Sequence, residues 1–240
     1  MKKFINKILG FTGYQIKNRK YLYEPDKNLI KSINHFNINS IIDIGANKGQ
    51  FSLKIIKNGF KGKILSFEPL SFEHKVLVEY SQKIKNWEIA KKCALGDKNS
   101  KKKFYITGNR ESSSLLKILP KHTKLRPDSI IVATEIVEVE KLENFANQIR
   151  KFRKNLLLKI DAQGSELDIL IGAGKVIDDL NCLFIEVSLV RLYENQALWL
   201  DIITYLRDYG FEVWSVDQLL KNNDTGQTYQ LDLLFYRPQY

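Results

Sequence analysis

The sequence predicts an α/β domain, doubly wound around a mostly parallel sheet. Three observations carry that prediction. The run Ile41, Ile42, Asp43, Ile44 is short, β-branched and stopped by Gly45, the pattern of a buried strand. Gly45 and Gly49 bracket a turn that opens a helix over residues 50–58, with Phe51, Leu53, Ile55 and Ile56 toward a core and Lys54 and Lys57 toward water. Residues 155–163, NLLLKIDAQ, form the near-continuous apolar run of a parallel strand covered on both faces. A strand, a glycine turn and a helix N-terminus together make a nucleotide-type pocket.

The elements follow in order. Phe4, Ile5, Ile8, Leu9 and Phe11 share one face of a short helix with Lys2, Lys3 and Lys7 near the other. Such a segment suits a peripheral membrane anchor and equally a helix packed on its own domain. Residues 1–35 are therefore expected to be a basic, amphipathic extension and residues 36–240 one domain. Pro25 and Asp26 open a second helix reaching about Phe36. Residues 63–67 read as the second strand, ending in Glu68 and Pro69, and residues 71–83 as a helix. Residues 87–95 read as one third strand ending at Gly96-Asp97, with further strands over 101–106 and 131–140. The polar stretch 108–129 between them, with Asn109, Ser112, Ser113, Ser114 and His122, is long enough to be a cover for the pocket. A helix begins at residues 164–170 with Glu166 in its first turn. Strands over 181–187, 211–216 and 229–236 and a helix over 198–208 complete the chain.

Composition narrows the functional classes. A chain of 240 residues with 44% hydrophobic content can bury one substantial core. No apolar run of about 18 residues is present, and the N-terminus lacks a signal-peptide pattern, so a cytoplasmic protein is expected, with peripheral contact to the inner membrane face open to the basic N-terminal segment. Cys93 and Cys182 sit in apolar stretches and read as buried free thiols, not as a disulfide or metal pair. The net charge is +11, from 38 basic against 27 acidic residues, but few aromatics interleave with the lysines as a single-strand nucleic-acid platform requires.

Strand tips carry the chemistry. Asp43, Glu68, Asp97, Asp161 and Glu186 all fall at expected strand ends, where open α/β sheets bind ligands. Such a rim suits a ligand rich in hydroxyl and amine groups and disfavours a pyrophosphate. Glu68 stands about 20 residues beyond the turn, where an acid accepts hydrogen bonds from ribose hydroxyls. The turn itself reads G-A-N-K-G, so the dinucleotide fingerprint fails at its middle glycine. S-adenosylmethionine, with no phosphate and two cationic centres, fits better, and Lys48 leaves a nucleotide oxidoreductase as the rival.

Seven blocks then resemble one family in order: DIGANKGQFS, FEP at 67–69, ALGD at 94–97, ESSSLL at 111–116, LKIDAQGSELDIL at 158–170, FIEVSLVRLYENQ at 184–196 and QLDLLF at 230–235. Together they resemble the FkbM family of S-adenosylmethionine-dependent methyltransferases over roughly residues 38–237. The resemblance implies a Rossmann-like class I methyltransferase fold, a seven-stranded sheet with an antiparallel last strand, and O-methylation of a sugar, glycan precursor or related metabolite. It implies that Asp43, Gly45, Asn47 and Gly49 shape the methionine side of the cofactor site and that Glu68 binds the ribose. Ala94, Leu95 and Asp97 would flank the adenine, and Ser113 and Ser114 match a small polar segment near the cofactor. Asp161 matches an acid that contacts donor or acceptor. A family Thr-Leu-Asp segment reads Glu140-Lys141-Leu142-Glu143 here. Methyl transfer to an alcohol also needs a base, and Asp161, Glu186 and Glu166 are the candidates, with His122 a fourth. No tight carboxylate pattern demands a metal. The expected partner is a small-molecule or glycan acceptor, with no nucleic acid. A non-catalytic binding module and a nucleic-acid methyltransferase are the alternatives, and the latter lacks an Asn-Pro-Pro-aromatic block where Asp161-Ala162-Gln163-Gly164 stands.

Overall fold

The computed structural model describes residue 12 and residues 25–152 and 155–238. The amphipathic pattern expected over residues 2–11 lies outside the described residues. Helix α1 (Pro25–His35) leads into strand β1 (Ser40–Ile44), and α2 (Gln50–Lys57) follows the glycine turn. Then come β2 (Lys63–Phe67), α3 (Ser71–Ser81), β3 (Trp87–Ile89), β4 (Ala94–Leu95) and β5 (Ser100–Thr107). A segment with α4 (Pro120–Leu125) separates β5 from β6 (Ile131–Glu140), and α5 (Ala146–Ile149) precedes β7 (Leu156–Ile160). The chain closes with α6 (Glu166–Gly172), β8 (Leu180–Ser188), α7 (Trp199–Asp208), β9 (Glu212–Lys221) and β10 (Thr228–Tyr236).

The main sheet has seven strands in the order β3-β2-β1-β7-β8-β10-β9, with β10 antiparallel to both neighbours. This is the class I methyltransferase topology. Strand order reverses between β1 and β7, and the crevice beyond their carboxyl ends is the place such sheets use for ligands. Both faces are covered. On one, Ile42, Ile44, Leu158, Ile160, Leu183, Ile185 and Phe235 pack under α6 and α7; on the other, Ile41, Ile64, Leu157, Cys182 and Leu234 pack against Leu29 of α1 and Ile55 of α2. Each such fully buried side chain contributes about 1.5–3 kcal/mol. No helix among the described residues is long and apolar enough to cross a membrane.

The single third strand expected over residues 87–95 is two elements. After β3 the Ala90 N–H still reaches Ser66 O at 3.0 Å, but the chain then leaves the main sheet. Ala94 and Leu95 instead pair with Val139 and Glu140 in a separate sheet ordered β4-β6-β5. Asp97 therefore follows a strand of the small sheet and does not stand at a tip of the main one. Residues 108–129 carry α4 and a 3-10 turn (Pro127–Ser129) and are not a featureless loop.

Register aligns the site. Ile44 pairs with both Phe67 and Ile160, and Ile160 pairs with Ile185. The next residues, Gly45, Glu68, Asp161 and Glu186, thus form one row across the sheet's carboxyl edge.

Gly45 is fixed by this row. Its φ is +70°, and a Cβ added there would meet the Asp161 carbonyl oxygen at 1.8 Å, a backbone atom that cannot swing aside. Gly45→Ala should lower the urea-unfolding free energy by at least about 3 kcal/mol with no cofactor present. A loss below about 1 kcal/mol would mean that the turn and the β7 tip are not held in contact.

Candidate functional site

The turn after β1 is built from below by a charge pair. Lys159 lies one residue before the end of β7 with its side chain 6% exposed, and its Nζ sits 3.0 Å from Asp43 Oδ1 on the neighbouring strand. The same ammonium donates to the carbonyls of Ile44 at 3.2 Å and Gly45 at 3.1 Å and packs over the Phe51 ring. Burial pulls the Lys159 amine down, but the carboxylates of Asp43 and Asp161 outweigh it and hold the group above its ordinary value. Asp43 Oδ2 accepts from Ser52 Oγ at 2.7 Å, which ties the strand to α2. Asp43 is fully buried, and so it shapes the turn from underneath instead of facing a ligand. Gly49 does likewise: at φ +89° its missing side chain admits Trp87, whose Cη2 would lie 2.6 Å from a Cβ.

Above the turn opens a cavity of about 560 Å³. Gly45, Asn47, Glu68, Ala94, Leu95, Ser113, Asp161 and Glu186 all line it, so eight of the expected site residues converge. Glu68 folds back on the turn. One carboxylate oxygen accepts from Asn47 N at 2.8 Å and the other from Leu70 N at 2.9 Å. Burial raises the Glu68 carboxyl to about 7 against the pull of those two backbone donors. Beside it the wall is apolar, with Leu70, Ala94 and Phe104 in one cluster and Cys93 and Leu95 next to them.

Residues 108–129 cover the cavity, as their length and polarity predict. Arg110 clamps them down: its guanidinium forks onto the fully buried Glu73 of α3, with Nη2 to Oε2 at 2.8 Å, and lies over the Phe72 ring. Ser114 Oγ donates to Gln163 O at 2.7 Å and so turns away from the cavity wall, while Ser113 lines it. His122 also lines the cavity and is buried instead of solvated; burial, then the nearby Arg126 cation, push its imidazole down to about 4, and it is neutral at pH 7.

The β7 tip carries the reactive side of the site. Asp161 is partly exposed to the cavity, its Oδ1 accepting from Gln163 Nε2 at 2.7 Å and its Oδ2 3.9 Å from Lys159 Nζ. Gln163 also donates to Glu186 Oε1 at 3.1 Å and accepts from the Tyr193 hydroxyl at 2.6 Å. Gln230 donates to the same Glu186 oxygen. Burial, then Asp161 and Asp232, raise the Glu186 carboxyl well above the carboxylate range, and burial raises Asp232 to about 7.

Besides Asp43, Gly49 and Ser114, two more expected residues stand off the cavity wall. Asp97, beyond β4, is absent from the cavity wall. Glu166 is buried below the wall, where its Oε1 accepts from Ala162 N at 3.1 Å and Gly164 N at 3.0 Å. Those bonds hold the β7-to-α6 turn and give Glu166 a structural part. Sequence reading passed over Lys159, Gln163, Tyr193 and the Arg110–Glu73 clamp. The one local signal was Lys159 itself, the lone charge in LLLKI, since a lysine inside a covered parallel strand must find a partner.

The family description "Methyltransferase FkbM domain" matches residues 43–213, spanning the turn, the cover and the β7 tip. The chain belongs to the FkbM methyltransferase family. It is 27% identical to Methyltransferase 1 of Beauveria bassiana (strain ARSEF 2860) over 192 residues, 72% of each chain. Among solved structures, it overlaps an rRNA methylase from Streptococcus thermophilus with TM-score 0.49 at 11% identity, covering 91% of this chain and 99% of that one. It overlaps TehB from Haemophilus influenzae with TM-score 0.48 at 9% identity, covering 88% of this chain and 62% of TehB.

FkbM proteins take their methyl group from S-adenosylmethionine. The donor set of the cavity fits that cofactor. Each Glu68 oxygen spends one lone pair on a backbone N–H and keeps another for a ribose hydroxyl. The apolar wall suits an adenine.

The assignment of Glu166 has a pH signature. Its carboxyl is raised by burial to about 7 from an ordinary 4.5, so the folded chain holds this proton more tightly than the unfolded chain. Stability from this group therefore falls as pH rises from 4.5 to 7, by about 3 kcal/mol at most. Glu166→Gln keeps the acceptor oxygen and loses the charge. It should match the parent at pH 5 and unfold at higher urea at pH 8, by about 1–3 kcal/mol; lower stability at pH 8 would contradict the assignment.

Proposed function

We propose that FkbM chemistry in this chain is O-methylation of a hydroxyl on a sugar, glycan precursor or related metabolite, with Asp161 as the base. The observation that carries the reading is Asp161: a partly exposed carboxylate on the cavity wall, one residue past a strand that pairs with β1, its Oδ1 aimed by Gln163. Glu68 would hold the ribose hydroxyls, Leu70, Ala94, Leu95 and Phe104 the adenine, and the backbone from Gly45 to Asn47 the methionine side. The bound cofactor supplies an electrophilic methyl on a sulfonium. The chain's own part would be positioning and proton removal: the wall would hold the acceptor hydroxyl beside the cofactor site, and Asp161 would accept the hydroxyl proton as the methyl passes to the oxygen and the sulfur leaves as a neutral thioether. The clamped cover at 108–129 keeps water from competing for the methyl group.

Glu186 is less available as a base than Asp161. Its Oε1 already accepts amide protons from Gln163 and Gln230, and it is more deeply buried than Asp161. It supports Gln163, which in turn orients Asp161.

The division of roles is directly measurable. Glu68→Ala should weaken S-adenosylhomocysteine binding in calorimetry by about 10- to 100-fold, the worth of two charge-assisted hydrogen bonds. Asp161→Asn should leave that affinity within about twofold and lower methyl transfer to a panel of sugar nucleotides and glycans by about 10² to 10⁴. Equal loss of cofactor affinity in both variants contradicts the roles, and no S-adenosylhomocysteine binding by the parent chain overturns the function.

A further inference from the structure

The cavity does not end at Asp161. Its wall continues across β8, β10 and β9, where cross-strand register sets Glu186 opposite Asp232 and Asp232 opposite Asp217. All three carboxylates line the cavity, on the sheet face that also carries Lys159. Asp217 makes the row more than a cluster of acids. It is only 8% exposed, and its Oδ1 accepts no hydrogen bond among the described residues. A buried carboxylate oxygen without a donor costs free energy until one arrives.

Among the described residues, the basic side chains that act on the row are already engaged. The ammonium of Lys159 is held by Asp43 and two backbone carbonyls, and Lys54 of α2, on the same wall, offsets one further charge. Burial raises both Asp232 and Asp217. Beside the row, Phe51 of α2 stacks on Phe184 of β8 at 6.1 Å, and Leu219 stands two residues past Asp217 on β9. An acidic row flanked by aromatic rings suits a ring-bearing molecule with an ammonium substituent.

We propose that Asp232 and Asp217 form an acceptor subsite for a protonated amine, so that the hydroxyl methylated belongs to an amino-sugar oligosaccharide or a similar polyhydroxylated amine. The proposal rests on the O-methylation reading for its orientation, with the amine on β10 and β9 and the hydroxyl at Asp161. Strand spacing sets the span. Two to three strands separate Asp161 from these acids, roughly 10–14 Å, which exceeds one sugar ring and matches two or more.

The test uses the full chain saturated with S-adenosylhomocysteine and two probes of one shape, chitobiose with two free amines and N,N′-diacetylchitobiose with none. Calorimetry should give at least roughly tenfold tighter binding of the diamine. Asp232→Asn and Asp217→Asn should each weaken the diamine by roughly three- to tenfold and leave the diacetyl sugar unchanged, with parent melting temperatures and parent S-adenosylhomocysteine affinity. Equal affinity for both sugars, no binding of either, or variants that keep the diamine preference would overturn the subsite. Failure of S-adenosylhomocysteine to bind would instead overturn the methyl-transfer reading, which separates the two outcomes.

Discussion

The structure depends on one buried ion pair, Lys159 with Asp43. Adjacent parallel strands bring these two side chains to the same face, and their charges are worth far more to each other there than in water. Two buried charges are costly to desolvate, and their geometry must repay that cost. It does so by adding hydrogen bonds: Asp43 takes the Ser52 hydroxyl, and Lys159 takes the carbonyls of Ile44 and Gly45. The ammonium thereby fixes the direction of the first two carbonyls of the turn. The positive φ of Gly45 and the close approach of the Asp161 backbone then follow from sterics.

From that anchor the site is laid out by register. Glu68, Gly45, Asp161 and Glu186 sit side by side because β2, β1, β7 and β8 end level with one another. Environment then gives similar carboxylates different tasks. Glu68 is raised toward neutrality and bonded to backbone, Glu166 braces a turn, Glu186 orients Gln163, and Asp161 alone combines partial exposure with a directed hydrogen bond. The cover at 108–129 is held by the Arg110 clamp on Glu73, so access to the row and the packing of α3 are linked.

Much of this was legible in the sequence, and the misses have physical causes. β1, β2 and β7 announce themselves as apolar runs stopped by Gly or Pro, and β2 falls at the bounds its pattern predicts. The turn's failed dinucleotide pattern and the acid at Glu68 point to the cofactor class. Residues 87–95 mislead because the apolar pattern continues past Ile89, while the partner that captures Ala94 and Leu95 is β6, more than 40 residues on. Glu166 looks like a catalytic acid at a strand-helix junction until its backbone donors are known. Asp232 and Asp217 are invisible as a pair because only the β10–β9 register sets them opposite each other. Lys159 was readable as an anomaly, although its partner was not.

The dependence of the site on the buried pair is tested most directly by a double-mutant cycle on Asp43 and Lys159, read by urea unfolding of the cofactor-free chain at pH 7. Asp43→Asn and Lys159→Met should each cost about 3–5 kcal/mol, since each strands a charge or its carbonyl partners. The double variant should cost much less than their sum, with a coupling above about 2 kcal/mol. Costs that add to within about 0.5 kcal/mol would show that the two residues act independently and that the turn is held by something else.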